Sequence, residues 1–155
     1  MDAIFSNAVF HWIPDHDRLF ARLHAALKPG GRLVAQCGGR GNVASLGRAV
    51  RELVADEPFA GYFDGYGRTW NFAGPEETAE RLLRLGFEQV ETWLEDKRVQ
   101  PEEPLEYLRT VTLGPHLARL PEDLHDRFVR GVAAEMGEPL VLDYVRLNIH
   151  ARRPA

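Results

Sequence analysis

Cysteine and lysine are scarce in this sequence. Cys37 is the only cysteine, and Lys28 and Lys97 are the only lysines. A single cysteine excludes a disulfide within the chain and any paired-cysteine metal or redox motif, which is typical of a protein in a reducing compartment. The formal net charge is -4, so no bulk positive field favours nucleic acid or anionic lipid. We therefore expect no nucleic-acid partner.

Long apolar runs are also lacking. None approaches the roughly 20 residues that a membrane-spanning helix needs, and the first residues do not show the basic-then-apolar pattern of a signal peptide. The 155 residues are 45% hydrophobic and 27% charged, which is typical of a globular protein with its own core. These features predict a soluble, cytoplasmic protein without a membrane partner, folded as one domain over residues 1–155.

Strand and helix patterns alternate along the first hundred residues. The apolar spacing and the turn residues between apolar stretches delimit each element. Asn42 and Ser45 are both available as the N-cap of the second helix. The second strand is short and apolar, as parallel strands buried on both faces tend to be. The predicted elements are a strand at 3–5 ending in the polar pair 6–7, a helix at about 15–27, a strand at 32–36, a helix at about 43–56, a helix at 75–85 and a strand at 87–94.

The remaining segments predict a loop, a cap and a last strand. Residues 58–74 are rich in glycine and aromatics and fit no period, which indicates a long loop over a surface or a pocket. The pattern of residues 101–137 predicts a small helical cap, broken at Gly114-Pro115 and at Leu120-Pro121. The alternation from Val141 onward predicts a long strand near the end of the chain. Together these elements predict an α/β fold with a mostly parallel sheet.

Two early segments resemble the class I S-adenosylmethionine-dependent methyltransferases. Residues Asp2 to Asp15 resemble that family's fourth strand and its tip, and Leu27 to Leu33 resemble the turn into its fifth strand. Later segments resemble the trans-aconitate methyltransferase branch, and the resemblance covers essentially the whole chain. It implies a partial Rossmann-like sheet, corresponding to family strands 4 to 7 with the last strand antiparallel, and S-adenosylmethionine as cofactor. The later segments are 69–72, 86–87, 107–110, 120–122 and 144–147 running into 151–153.

The resemblance lacks one part of the family pattern. The family's first strand, its Gly-rich turn and the acidic residue after its second strand have no counterpart here. We therefore expect the sequence to be the C-terminal part of a methyltransferase. The strand Asp2 to Asn7 would then be an exposed edge, and bare edges invite pairing with another chain, so we expect self-association through this strand or an uncovered sheet face. The alternative function is a non-catalytic oligomeric or partner-binding remnant without the cofactor-binding half.

Two other kinds of ligand site find little support. Residues 39–44 match the glycine spacing of a dinucleotide-binding turn, but no second strand ending in an acid follows them. We interpret this segment as a plain turn from strand to helix. The histidines form no pair at helical spacing and no constellation with cysteine or acids, so no metal site is predicted.

The residues that follow the first strand are the candidates for cofactor binding. Ligands of open α/β sheets bind at the carboxyl ends of the strands. By resemblance to the family, Asn7, Ala8, His11 and Trp12 are predicted to lie on the cofactor side. The alternative is that Asn7 and His11 cap the next turn while Trp12 packs in the core.

The methyl acceptor is expected to be a small molecule such as a carboxylic acid. A carboxylate is already ionised at neutral pH, since its pKa lies near about 4, so no general base is required and no catalytic residue is assigned. Arginine matches a carboxylate by two-point contact. Arg68, Arg109 and Arg146 are therefore predicted to bind substrate, together with Trp70 of the aromatic loop. The alternatives are structural ion pairs for Arg109 and Arg146, and a loop anchor in place of a substrate lid for Trp70.

Overall fold

The computed structural model describes residues 1–67 and 70–155, and these divide into two compact units. Unit 1 comprises Met1–Asn42, Trp70–Lys97 and Tyr144–Ala155, and unit 2 comprises the described parts of Val43–Thr69 and Arg98–Asp143. The strands are β1 (Ala3–Asn7), β2 (Arg32–Gly38), β3 (Glu88–Val99) and β4 (Leu142–Arg152). The helices are α1 (His16–Ala26), α2 (Ala44–Leu53), α3 (Pro75–Arg84), α4 (Pro104–Tyr107), α5 (Gly114–Leu117) and α6 (Glu122–Met136), with 3-10 turns at Phe10–Trp12 and Ala60–Tyr62 and a π-helical turn at Leu108–Thr112.

The four strands form one mixed sheet in the order β1-β2-β4-β3. β1 pairs with β2 in parallel, whereas β2 pairs with β4 in antiparallel register. The predicted α/β fold with an antiparallel last strand is therefore confirmed. β3 extends to Val99, five residues beyond the predicted end at Leu94. Its second half is charged and shows no apolar pattern, and pairing with β4 at the edge of the sheet outweighs its low strand propensity.

Helices cover one face of the sheet within unit 1. Phe20 of α1 and Leu82 of α3 are fully buried in the same core cluster as Leu33 of β2. On the opposite face Phe5 is 77% exposed and Val34 is also exposed. The face opposite α1 and α3 is thus uncovered at Phe5 and Val34 among the described residues, because both helices contribute to the core on the same side.

The first and third helices begin where the sequence predicts. Asp15 caps α1 by accepting a hydrogen bond from the Arg18 backbone N–H at 2.9 Å. Pro75 occupies the first turn of α3, and the Glu77 side chain accepts from the Gly74 N–H at 2.5 Å. Both arrangements satisfy N–H groups that a helix leaves without partners at its start, so the local sequence is sufficient to place these two helix starts.

The start of α2 differs from the prediction. Val43 occupies the cap position with a left-handed backbone (φ 47°) and makes no side-chain cap. Neither predicted cap acts as one: Asn42 Oδ1 accepts from the Val145 N–H at 2.8 Å, and the Ser45 hydroxyl donates to Asp143 at 2.5 Å. Both side chains therefore serve contacts with residues about a hundred positions away in the sequence.

Unit 2 is helical, as predicted for residues 101–137. α5 begins at Gly114 and α6 begins directly after Pro121, so the helices break where glycine and proline predict. Gly131 of α6 lies against α2, and a Cβ there would be 2.9 Å from a methyl of Leu53. None of the helices in the described part of the chain is long and apolar enough to span a bilayer. The assignment of 101–137 as a cap within a single domain stays a prediction.

Core packing in α3 can be tested with two neighbouring leucines. Leu82 is fully buried, so Leu82→Ala is expected to lower the free energy of unfolding by about 2–5 kcal/mol. Leu83 is 57% exposed and is the matched control, for which Leu83→Ala should cost less than about 1 kcal/mol. Urea unfolding followed by circular dichroism measures both. Equal losses at the two positions would contradict the orientation of α3.

The reactivity of Cys37 provides a second test. The side chain is buried, and burial raises the pKa of its thiol to about 11. Because the thiolate is the reactive species, we expect the native protein to react with a disulfide reagent at pH 8 at least about a hundredfold more slowly than the urea-unfolded chain. Similar rates in the two states would show that Cys37 is accessible.

Candidate functional site

The carboxyl ends of β1 and β2 meet at one edge of the sheet, because the two strands are parallel. β1 ends at Asn7, which lies opposite Gln36 of β2. Ala8 has a left-handed backbone with φ 58°, and its N–H donates to the Gln36 carbonyl at 2.8 Å. The chain then turns away from the sheet through Phe10–Trp12. Open α/β sheets bind ligands at this kind of edge.

His11 lies at this edge as a buried, uncharged ring. It is 9% exposed, and its Nδ1 accepts a hydrogen bond from the Gly38 N–H at 3.1 Å. In the neutral ring the proton therefore lies on Nε2, which makes that nitrogen a donor. Burial lowers the pKa of His11 from its ordinary 6.5, and the positive charges of Arg146 and His16 lower it further. At neutral pH the ring contributes a donor without a positive charge.

Four rings form an aromatic cluster beside the strand ends: His11, Trp12, Trp70 and Phe72. Trp70 stacks on Phe72 with ring centroids 5.6 Å apart, and Trp12 meets the edge of Trp70 at 5.8 Å. His11 lies 5.4 Å from Trp12 and 5.9 Å from Phe72. Trp12 is nevertheless 50% exposed, so the alternative that it packs in the core is wrong. The cluster presents a partly exposed aromatic wall.

Asn71 attaches this wall to the turn after β1. Its backbone N–H donates to the His11 carbonyl at 2.8 Å, and its side-chain amide donates to the Pro14 carbonyl at 2.9 Å. Trp70 and Phe72, on either side of Asn71, are therefore held against His11 and Trp12. Backbone and side chain of one residue thus fix the loop to the strand end.

The glycine-rich turn after β2 is filled by the protein's own groups. A Cβ on Gly38 would lie 2.7 Å from the Phe72 ring, and one on Gly39 would lie 2.7 Å from Leu94. The Gly39 N–H donates to Val145 and the Arg40 N–H donates to Ala73, each at 2.9 Å. These amides are already bonded, which supports the interpretation as a structural turn rather than a phosphate cradle.

β4 adds polar groups to the same part of the sheet. Arg146 lies opposite Gly38 in the register, and its guanidinium carbon is 4.6 Å from the centroid of the Tyr144 ring. Asn148 lies opposite Gln36, whose side-chain Nε2 donates to Asn148 Oδ1 at 2.8 Å. Arginine and two amides therefore project from neighbouring strands on the face opposite the core.

The predicted site residues fall into three groups. Asn7, Ala8, His11, Trp12, Trp70 and Arg146 all belong to unit 1. Arg109 belongs to unit 2, where its guanidinium pairs with the Asp126 carboxylate of α6, which favours the structural role that the sequence leaves open. Arg68 lies outside the described residues. The functional role of each of these residues stays a prediction.

Several residues of this region were not predicted from the sequence. Asn71 stands in a loop without periodicity, and no local signal shows that it bonds to residues 11 and 14. Tyr144 and Asn148 alternate with core residues along β4, as the predicted Arg146 does, and this alternation is a usable signal that the three share a face. Among residues 1–67 and 70–155, no group of three or more His, Cys, Asp or Glu side chains is placed to hold a metal ion.

A protein-family profile and several individual proteins match this sequence. A family profile described as a methyltransferase domain matches residues 1–35. A trans-aconitate 2-methyltransferase of Variovorax paradoxus is 30% identical over 83% of this chain and 50% of its own length. Another, from Deinococcus radiodurans, is 33% identical over 99% of this chain and 64% of its own length. The chain thus spans one half to just under two thirds of these relatives.

Solved structures support the fold. The YcgJ protein of Bacillus subtilis aligns with all of this chain and 64% of its own, with a TM-score of 0.59 and 10% identity. A protein of Bacillus halodurans, proposed to be a methyltransferase, aligns with all of this chain and 65% of its own, with a TM-score of 0.54 and 14% identity. The mixed α/β sheet with its helices is similar to the Rossmann-like folds of methyltransferases. By sequence, the chain resembles the class I S-adenosylmethionine-dependent methyltransferases, in particular their trans-aconitate-like branch.

Proposed function

We propose that this chain forms part of a cytoplasmic S-adenosylmethionine-dependent methyltransferase whose methyl acceptor is a small carboxylic acid. The observation that supports the proposal is that the segment matched by the family profile also forms part of the aromatic cluster. The residues matched by the methyltransferase-domain profile, 1–35, include β1 and the turn after it. In the structure the same turn supplies two rings of the aromatic cluster at the carboxyl end of the sheet.

The cofactor side of the proposed site comprises Asn7, Ala8, His11 and Trp12. S-adenosylmethionine, when bound, supplies a methyl group on a positively charged sulfur. The lowered pKa of His11 keeps its ring uncharged at neutral pH, so the ring does not repel a cation and offers its Nε2–H as a donor. The exposed face of Trp12 suits either a cation or a flat ring. The residues present therefore fit this cofactor.

The acceptor side of the proposed site requires an anion-binding group and no base. A carboxylate is ionised at neutral pH and attacks without losing a proton. The chain's contribution is then to position the acceptor and to exclude water. Arg146 belongs to the same compact unit as the aromatic cluster, and it forms no ion pair with a carboxylate in the described part of the chain. We assign it to the acceptor, with Trp70 as part of the wall.

Binding of S-adenosylhomocysteine, the product form of the cofactor, tests the cofactor side. We expect calorimetric titration to show saturable binding, and Trp12→Ala to weaken it by about tenfold, or ~1.4 kcal/mol, through loss of one aromatic contact. Trp93→Ala is the matched control, since Trp93 is similarly exposed but lies outside the cluster; it should change the affinity by less than about twofold. Absence of heat and of any thermal shift with the unmodified chain contradicts the proposed cofactor site on this chain.

Transfer of a labelled methyl group to trans-aconitate tests the acceptor side. Arg146→Gln is expected to raise KM for this acceptor by about 10–100-fold, because a charged hydrogen bond contributes about 1.5–3 kcal/mol. Arg109→Gln is the control: its guanidinium is paired with Asp126, so KM should change by less than about threefold. A larger effect at Arg109 than at Arg146 would reverse the assignment.

A second candidate is a non-catalytic module that acts through self-association. The observation that favours it is the exposed sheet face with Phe5, together with the unpaired edge of β1 in the described sheet. Light scattering coupled to gel filtration distinguishes the candidates when combined with the titration above. A dimer that Phe5→Ser converts to a monomer, in a chain that binds no S-adenosylhomocysteine, would favour the second candidate. A monodisperse monomer would contradict it.

A further inference from the structure

Tyr144 and Arg146 form a contact on the side of β4 that faces away from the core. Leu147 and Ile149 of β4 belong to the core cluster, and the alternation of a strand places Arg146 and Asn148 on the opposite face. The Arg146 guanidinium carbon lies 4.6 Å from the centroid of the Tyr144 ring. Tyr144 itself is buried, so its ring has a fixed position.

A guanidinium held in this way keeps its hydrogen-bonding capacity. Contact with a ring face is electrostatic and uses none of the five N–H donors of arginine. Among the described residues no carboxylate pairs with Arg146. The planar fork is therefore available to a ligand, and its natural ligand is a carboxylate bound at two points.

The neighbouring residue on the same face also offers a donor. Gln36 donates to Asn148 Oδ1 at 2.8 Å. This bond engages the amide oxygen of Asn148 and not its amide nitrogen. This nitrogen is buried, on a residue that is 8% exposed, and it has no hydrogen-bond partner among the described residues. A face that presents two donor groups and no acidic partner favours a ligand that only accepts hydrogen bonds, as an ionised carboxylate does.

The position of Arg146 connects this face to the proposed site. The register places Arg146 opposite Gly38, whose N–H donates to His11 at 3.1 Å. In agreement with this proximity, the positive charge of Arg146 lowers the pKa of both His11 and Cys37, although burial is the larger influence on each. The guanidinium therefore lies at the carboxyl end of the sheet, next to the aromatic cluster.

We propose that Tyr144 is a positioning residue, whose ring face holds the Arg146 guanidinium at the carboxyl end of β2 so that its N–H edge binds the carboxylate of the acceptor. The substrate role rests on the proposed function. The positioning role rests on the contact between the ring and the guanidinium and on their place in the sheet. Tyr144 acts through Arg146 and touches neither cofactor nor acceptor.

Two substitutions at Tyr144 separate the ring from the hydroxyl. Tyr144→Phe keeps the ring face, and Tyr144→Leu removes it. With trans-aconitate titrated into protein saturated with S-adenosylhomocysteine, we expect Tyr144→Leu to weaken acceptor binding by about tenfold and Tyr144→Phe by less than about twofold. The affinity for S-adenosylhomocysteine should stay within about twofold in both variants, which shows that the fold is intact.

The titration of His11, followed by NMR and assigned with His11→Gln, gives a readout that does not depend on methyl transfer. Loss of the ring in Tyr144→Leu releases the guanidinium from its position near His11, so the pKa of His11 should rise in that variant and stay unchanged in Tyr144→Phe. If Tyr144→Leu alters neither the His11 pKa nor acceptor binding, the proposal is overturned. Arg146→Lys, which keeps the charge but lacks the planar fork, should weaken acceptor binding to a similar extent without touching the core.

The outcomes for the unmodified chain separate this proposal from the proposed function. Binding of trans-aconitate without binding of S-adenosylhomocysteine would contradict the proposed cofactor site on this chain and leave the carboxylate subsite supported. Binding of S-adenosylhomocysteine without binding of trans-aconitate or of citrate, a saturated tricarboxylate, would overturn the subsite and leave the cofactor proposal intact.

Discussion

The parallel pairing of β1 with β2 is the constraint on which the rest of unit 1 depends. Parallel strands place their carboxyl ends at the same edge, so the turn after Asn7 and the turn after Gly38 must meet there. The bond from Gly38 to His11 follows directly from this meeting, whereas the contact of Phe72 with Gly38 also depends on the bonds of Asn71 to His11 and Pro14. A register shifted by one residue would turn the core side chains of β2 to the opposite face and would separate these groups.

Uneven burial of the sheet determines the chemistry of its two faces. The face under α1 and α3 is apolar, and burial there raises the pKa of the Cys37 thiol to about 11. The opposite face carries Gln36 and Arg146, which are half-buried, and Asn148, which is buried. Because side chains alternate along a strand, β2 and β4 present apolar residues to the core and hydrogen-bond donors to the opposite face.

Different side chains at the strand ends are proposed to bind the cofactor and the acceptor. His11 is uncharged because burial and the nearby guanidinium both disfavour its protonated form. Arg146 retains its charge because guanidinium is ionised under all ordinary conditions. An uncharged donor and an aromatic wall suit a cationic sulfur, while a guanidinium suits a carboxylate. Placing the two types of group beside each other is consistent with a site that holds a cation and an anion together.

Local signals in the sequence determined the elements of this protein, and long-range contacts decided the site. Asp15 marks the start of α1 through its bond from Arg18, and Pro75 marks the start of α3 beside the bond from Gly74 to Glu77. These signals are local, so α1 and α3 could be predicted, as could the strand-end position of residues 7–12. The cap of α2 could not, because Asn42 and Ser45 bond to residues near 145, and Asn71 was missed because its partners lie near residue 12. Only the tertiary structure decided which sheet face is covered. It also decided that His11 is uncharged and that the Arg146 guanidinium contacts the ring of Tyr144. Each of these depends on burial or on a distance between atoms, and neither quantity exists until distant parts of the chain have packed together.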